Sequence, residues 1–393
     1  MAATLTDRAS QYPVVTVTGP RQAGKTTLCR HTFASKPYIN LERPDLREQA
    51  LSDPAGFLAQ HPQGALLDEV QRVPQLLSWL QAEVDEHPGP GRWILTGSHN
   101  FELMQAITQT LAGRTALLQL WPLSLAELAA GGKVPGRDGL RIDELLLAGG
   151  YPRIHADGLE PSVALADYFA TYVERDLRQL IELRLLDAFR RFVRLAAGRI
   201  GQLLNLSSLA ADAGVSAPTA QAWVTLLEAS FVVHRLPPWH ANLGKRLVKQ
   251  AKLYFCDVGL AAWLLGVREA GQLASHPLRG ALFENLIVNE FAKHALNLGL
   301  APGLHFYRDS NGQEVDLLVE YGLPPGQLGL VEIKSGQTVQ REWLRGLDRV
   351  AALFDASAGP GVEPRVGRRM LVHGGAMQGR WDGVELAGLL PAS

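Results

Sequence analysis

Gly19-Pro20-Arg21-Gln22-Ala23-Gly24-Lys25-Thr26 is the stretch that decides how this chain is read. It fits G-x-x-x-x-G-K-[ST], a pattern whose glycines let the backbone wrap a polyphosphate with its N–H groups turned inward. The flanks agree. Val14-Val15-Thr16-Val17-Thr18 is β-branched and reads as a buried strand, and Lys25 to Phe33 reads as a helix. The helix N-terminus adds partial positive charge where the phosphates would lie. Lys25 is placed to reach the β- and γ-phosphates and the Thr26 hydroxyl to ligate Mg²⁺, with Thr27 beside them among the nucleotide-binding residues.

A second motif strengthens the first. Ala65-Leu66-Leu67-Asp68-Glu69 is an apolar run ending in two acids. An Asp at the end of such a strand holds the Mg²⁺ shell, and the adjacent Glu69 is suited to orient and polarise an attacking water. Between the motifs in sequence lies a further strand candidate, Tyr38-Ile39-Asn40-Leu41. An extra strand separates this arrangement from small GTPases and kinases, which set their two motif strands side by side. It is the arrangement in which a Glu acts as base. Arg92-Trp93-Ile94-Leu95-Thr96 and Ala116-Leu117-Leu118-Gln119-Leu120 read as two more strands. Five strands with helical crossovers imply a parallel sheet covered on both faces, with ligands at the carboxyl ends of the strands. Ser98 and Asn100, just past a central strand, are placed to sense a γ-phosphate or to cap the next helix. Arg114 ends that helix, where a cation is favourable in itself and where an arginine finger for a neighbouring subunit would sit.

Composition bounds the remainder. The 393 residues allow two or three domains, and a hydrophobic share of 47% with 20% charged residues is ordinary for a globular chain. A net charge of −1 provides no global field for nucleic acid, so any basic surface must be local. Cys29 and Cys256 lie far apart without partners at metal-ligand spacing, which disfavours disulfides and zinc and fits a reducing cytoplasm. No signal peptide or membrane span is expected.

These motifs together, G-P-R-Q-A-G-K-T, L-L-D-E-V-Q, I-L-T-G-S and L-A-G-R, resemble the AAA-type bacterial and archaeal ATPases of the ASCE class. The pattern continues through Trp121-Pro122-Leu123-Ser124 and Tyr172-Val173-Glu174-Arg175-Asp176. The resemblance implies ATP and Mg²⁺ as cofactors, homo-oligomers as the working form, and the finger role for Arg114.

The segment from about Asp157 to Asn242 reads as helical. Asn205 to Ser216 followed by Ala217 to Ser230 has the form of a helix-turn-helix, with Gly214 ending the first helix and Ser216 or Pro218 starting the second. Phe231-Val232-Val233-His234-Arg235 then reads as a strand of a winged helix. As a DNA reader the second helix would offer Ser216, Thr219 and Gln221, but it lacks Arg and Lys, and phosphate contacts dominate affinity. A rigid spacer or a subunit-docking surface is the competing reading.

In the last third, a helix from Gly280 to Leu298 carrying Glu284 precedes three strands, at His305–Arg308, Glu314–Val319 and Gly329–Lys334. A helix from Val339 to Phe354 and a strand at Arg369–Val372 complete it. Glu332 and Lys334 share one face of their strand, with Asp316 on the neighbouring strand. This element order and the Asp with E-x-K resemble the PD-(D/E)XK nucleases. The resemblance implies Mg²⁺ held by Glu284, Asp316 and Glu332, with Lys334 activating a water and partly lowered in pKa by the metal.

The whole reads as α/β: a P-loop NTPase sheet in residues 1–155, a helical, winged-helix middle in 156–245, and a restriction-endonuclease-like α/β domain in 246–393. The expected function is Mg²⁺-dependent ATP hydrolysis coupled to DNA binding and, at the C-terminal site, to cleavage. The alternative is a nucleotide-dependent switch or scaffold whose C-terminal domain is inert and binds protein or DNA. A kinase using the same loop finds no acceptor-binding constellation. A basic trough joining Lys245, Arg246, Lys249, Lys252 and Lys334 would favour nucleic acid over the scaffold.

Overall fold

A computed structural model describes residues 1–98, 107, 109–133, 142–174, 185–239, 249–324, 326–357 and 365–389. The chain divides into two compact units. One comprises Met1–Pro122, Ala229–Phe231 and Lys293–Ala301, and the other Leu123–Glu228, Val232–Ala292 and Pro302–Ser393. Asn100, Lys245, Arg246, Arg175 and Asp176 lie outside the described residues.

The first unit is built on strands β1 (Val14–Gly19), β2 (Tyr38–Asn40), β3 (Leu66–Asp68), β4 (Trp93–Ser98) and β5 (Thr115–Gln119). They pair in the order β2-β3-β4-β1-β5, every pair parallel. β1, β3 and β4 are buried along their whole length, which is why their sequences run apolar without alternation. Successive residues still face opposite ways. Leu67, Trp93 and Leu95 join the core on one face with Val70, Val73 and Leu76. Leu66, Ile94, Val15 and Val17 join the core on the other, with Leu5 and Cys29.

The strand that separates β1 from β3 is β4. The Tyr38 strand, which stands between the two motifs in sequence, lies at the outer edge beyond β3. With only three residues and a 38% exposed Tyr38, it lacks the continuous apolar run that a two-sided position in the sheet requires.

In the second unit the helices Leu206–Ala213 and Ala217–Ala229 meet at Gly214, whose φ of +74° ends the first in the left-handed region. They are followed by an antiparallel ribbon of β6 (Val233–Leu236) and β7 (Lys252–Phe255). A mixed six-stranded sheet follows, made of β8 (Leu304–Arg308), β9 (Glu314–Val319), β10 (Gln327–Lys334), β11 (Arg365–His373), β12 (Gly379–Trp381) and β13 (Val384–Ala387). Its order is β12-β13-β11-β10-β9-β8. β9 runs antiparallel to both β8 and β10, and β11 runs parallel to β10. The helix Arg341–Ser357 packs Leu344, Leu347, Val350 and Phe354 against Val315, Leu318, Leu330 and Leu371 of the sheet. The order helix, three strands, helix, strand stands as expected, and β12 and β13 extend the sheet beyond it. Among the described residues no helix is long and apolar enough to cross a membrane.

Two glycines of the first unit separate backbone strain from steric conflict. Gly64 (φ +76°) leads into β3, and a Cβ there would lie 1.9 Å from the Arg92 carbonyl oxygen. Gly113 has nearly the same φ, +75°, with nothing within 4 Å. Gly113→Ala should therefore cost about 1 kcal/mol, the strain alone. Gly64→Ala should cost about 3 kcal/mol or more, because backbone must move as well. Urea midpoints of the two variants measure the difference.

Candidate functional site

The loop after β1 turns on Gly19 (φ +146°), where a Cβ would lie 2.0 Å from the Leu120 carbonyl oxygen. It passes Gln22 at φ +59° and reaches Gly24, left-handed at φ 93°, which starts the helix Lys25–Thr32 with no side-chain cap. The N–H groups of that first turn have no intrahelical acceptors, so they form a ready anion site. Pro20 and Ala23 are buried, Arg21 is half-buried, and Gln22 and Thr27 face solvent. Lys25 is buried within the loop, its Nζ donating to the carbonyls of Gly19 (3.0 Å) and Pro20 (2.7 Å). Burial pulls its ammonium down to about 8, against the opposing pull of Glu69 and Asp68.

Asp68 ends β3 nearly dry and accepts three hydroxyl protons. Thr26 Oγ1 donates to Oδ1 over 2.9 Å, Thr96 Oγ1 donates to the same oxygen, and Tyr38 OH donates to Oδ2 over 2.7 Å. Glu69 follows with φ 58° and ψ 45°, a left-handed conformation that a side chain seldom adopts. Burial raises its carboxyl above the usual range, opposed by Lys25. Gln71 Nε2 donates to the Glu69 carboxylate and, over 2.9 Å, to Ser98 Oγ. Lys25, Thr26, Asp68, Glu69 and Ser98 thus gather at the carboxyl ends of β1, β3 and β4, in three separate hydrogen-bonded groups. The hydroxyl and carboxylate offered by Thr26 and Asp68 are hard oxygen donors, which fit Mg²⁺.

Arg114 stands elsewhere. It precedes β5, and β1 and β5 run parallel from Val14 paired with Thr115, so it lies at the amino end of the strands, about 20 Å from the loop. Its guanidinium holds Asp85 with both arms, at 2.6 and 2.7 Å.

Three residues of those hydrogen-bonded groups escaped the sequence reading: Tyr38, Thr96 and Gln71. Thr96 had a legible signal, since it shares a strand face with Ser98 at the end of a buried run. Tyr38 carried none, and Gln71 stood in the L-L-D-E-V-Q stretch without a role, because strand order and a turn bring their side chains in.

In the second unit β9 and β10 bring Asp316, Glu332 and Lys334 together, as expected. Asp316 Oδ2 accepts from the Ile333 N–H (2.8 Å) and from Lys334 Nζ (3.3 Å), and Lys334 Nζ lies 2.5 Å from Glu332 Oε1. Glu284 is held by Lys252 (3.0 Å) and Tyr254 (2.5 Å), and Lys252 also pairs with Glu314 at 2.7 Å. Lys252 is therefore not part of a solvent-facing basic trough. It is buried with two carboxylates, a position set by its place on β7. Of the other trough residues, Lys249 is exposed and Lys334 is engaged by acids. Burial pulls the Lys334 ammonium down, but Asp316 and Glu332 outweigh it and hold it above the ordinary lysine range. Burial and Asp316 push Glu332 up to about 8. Among the described residues no three His, Cys, Asp or Glu side chains gather closely enough to hold a metal ion. The acids here face lysines, and Glu332 Oε2 is buried with no hydrogen-bond partner among the described residues.

Removing Lys252 would leave Glu284 and Glu314 without their buried cation. Lys252→Met should cost about 3–5 kcal/mol. Arg368→Ala, which breaks only the surface pair with Glu385, should cost less than about 1 kcal/mol. Denaturant titrations of both variants test this contrast.

Comparison with known proteins places residues 11–129 in a family described as an AAA domain. Residues 140–271 and 279–386 match two domains of unknown function, DUF8612 and DUF4143. The chain is 35% identical over 330 residues to the uncharacterized protein Rv2008c of Mycobacterium tuberculosis, covering 83% of this chain and 72% of that protein. The uncharacterized protein Mb2031c of Mycobacterium bovis matches with the same figures. Among solved structures, the Walker-type ATPase PABY2304 of Pyrococcus abyssi aligns with a TM-score of 0.43 at 15% identity, covering 67% of this chain and 94% of that one. A point variant of RuvB from Thermotoga maritima aligns at 0.30 and 18% identity, covering 60% and 85%.

Proposed function

We propose that the chain, which belongs to the same family of AAA-domain proteins as its two mycobacterial relatives, is a Mg²⁺-dependent ATP hydrolase. The observation that carries this reading is the 2.9 Å hydrogen bond from Thr26 to Asp68, with Lys25 buried in the same loop. Gly19 to Thr27 would hold the phosphates through backbone N–H groups and the Lys25 ammonium. Thr26 and Asp68 would hold Mg²⁺, which when bound neutralises charge on the phosphates. Glu69 would orient the attacking water and Ser98 would read the γ-phosphate. Arg114 would act on the nucleotide of a neighbouring subunit in a homo-oligomer, since the amino end of β5 is remote from its own loop.

Domain limits of 1–155, 156–245 and 246–393 go with this reading. The helix-turn-helix and its ribbon would be a winged helix, and the C-terminal sheet a PD-(D/E)XK-like domain. For that domain the sequence left two readings, cleavage of nucleic acid and binding without cleavage. The pairing of Lys252 and Lys334 with four carboxylates favours binding without cleavage. ATP turnover would then drive a switch whose C-terminal domain docks on DNA or protein.

Lys25→Ala should abolish nucleotide binding. Glu69→Gln should keep it while turnover falls by about 10²-fold or more. Equal turnover by wild type and Glu69→Gln would remove the base assignment. In the same assay, Arg114→Ala subunits mixed with Glu69→Gln subunits should regain activity if the arginine acts across an interface.

Incubation with single-stranded, duplex and branched DNA and with RNA, in Mg²⁺ or Mn²⁺, should give no cleavage. Cleavage that is lost in Asp316→Asn would restore the nuclease reading.

A further inference from the structure

We propose that Gln71 is the positioning residue for Glu69, tying its carboxylate to the Ser98 hydroxyl so that β4 and the water-activating acid move as one. The inference rests on the ATPase reading and gives a role to Gln71, which ends the L-L-D-E-V-Q stretch and had none.

The backbone makes the contact specific. Glu69 leaves β3 in the left-handed region, and this turns the chain into the short helical turn Val70–Arg72. Arg72 N–H bonds the Glu69 carbonyl and Val73 N–H bonds the Val70 carbonyl, both at 3.0 Å. Val70 and Val73 are fully buried in the core, so the turn cannot slide. Gln71 is thereby swung back over the residue two places before it.

The amide's orientation is settled by chemistry. A carboxylate only accepts, so the NH₂ end of Gln71 must face Glu69. Both amide protons are then used, one on Glu69 and one on Ser98. A serine hydroxyl that accepts from Gln71 keeps its own proton for another acceptor, and a γ-phosphate oxygen is suited to take it. Contact between Ser98 and that phosphate would then fix Gln71, and Gln71 would fix Glu69. The Gln71 Oε1 atom is buried with no hydrogen-bond partner among the described residues.

The test uses the full chain, steady-state ATP hydrolysis and equilibrium binding of Mg²⁺·ATP. Gln71→Glu keeps the shape and replaces the donor with an oxygen, and Gln71→Met keeps the volume without polar atoms. Each should lower kcat about 10- to 100-fold, as a displaced catalytic group does. KM and Kd should stay within about twofold of wild type. Ser98→Ala should lower kcat similarly and Ser98→Thr, which keeps the hydroxyl, should restore it. The double variant Gln71→Met/Ser98→Ala should be no slower than the slower single variant, because both break one relay. Glu69→Gln serves as the reference. If it is inactive while Gln71→Met turns over like wild type, the ATPase reading survives and the positioning role is overturned. Losses that multiply in the double variant also overturn it, as does a lowered melting temperature with weakened nucleotide binding.

Discussion

Asp68 keeps its carboxylate in a nearly dry place, and four elements converge to make that tolerable. Thr26 comes from the helix after the loop, Thr96 from β4 and Tyr38 from β2, while β3 supplies the acid itself. A buried carboxylate without such donors would be far too costly to retain. The same three hydroxyls therefore fix the position of the acid and couple the loop helix, a central strand and an edge strand. Edge strand β2 buries Ile39 in the core, and the Tyr38 hydroxyl contact with Asp68 adds a second hold. Arg30 lies over the Tyr38 ring at 4.6 Å and steadies it from the solvent side.

The second unit meets the same problem with a different solution. Its acids are answered by lysines rather than hydroxyls. Lys252 stands between Glu284 and Glu314, and Lys334 between Asp316 and Glu332. Arg308 adds a third cation on Glu314 from the surface side, and burial together with Asp316 pushes Glu332 up to about 8. Hydroxyls can give way to a metal by a small rotation. Ammonium groups resist, because they carry the charge a metal would bring.

Most of the first unit was legible because β1, β3 and β4 announce their burial as unbroken apolar runs, and because a glycine loop between strand and helix has few other uses. Strand order was less so. Nothing in Tyr38-Ile39-Asn40 tells the reader that β4 passes between β3 and β1, since order depends on crossovers rather than on any local pattern. In the C-terminal sheet, Asp316 and Glu332 were placed correctly because period-two alternation fixes the face of a strand. β12 and β13 were missed, being three and four residues long. Lys252 was misjudged because a lysine reads as exposed until its two acids are seen, and those come from residues 284 and 314. The role of Gln71 was invisible for a similar reason: its partner is near in sequence, but only a left-handed residue between strand and turn brings the two side chains together.

The left-handed backbone at Glu69 has an evolutionary consequence. A non-glycine residue held there stores about 1 kcal/mol or more of strain, which glycine would relieve at no steric cost and asparagine in part. Heat-resistance screening of a mutant library, blind to turnover, would therefore enrich the loss of this acid. The most thermally robust descendants of this chain would lack this acid, and their greater robustness would record how much strain the wild-type protein tolerates to keep a carboxylate at that bend.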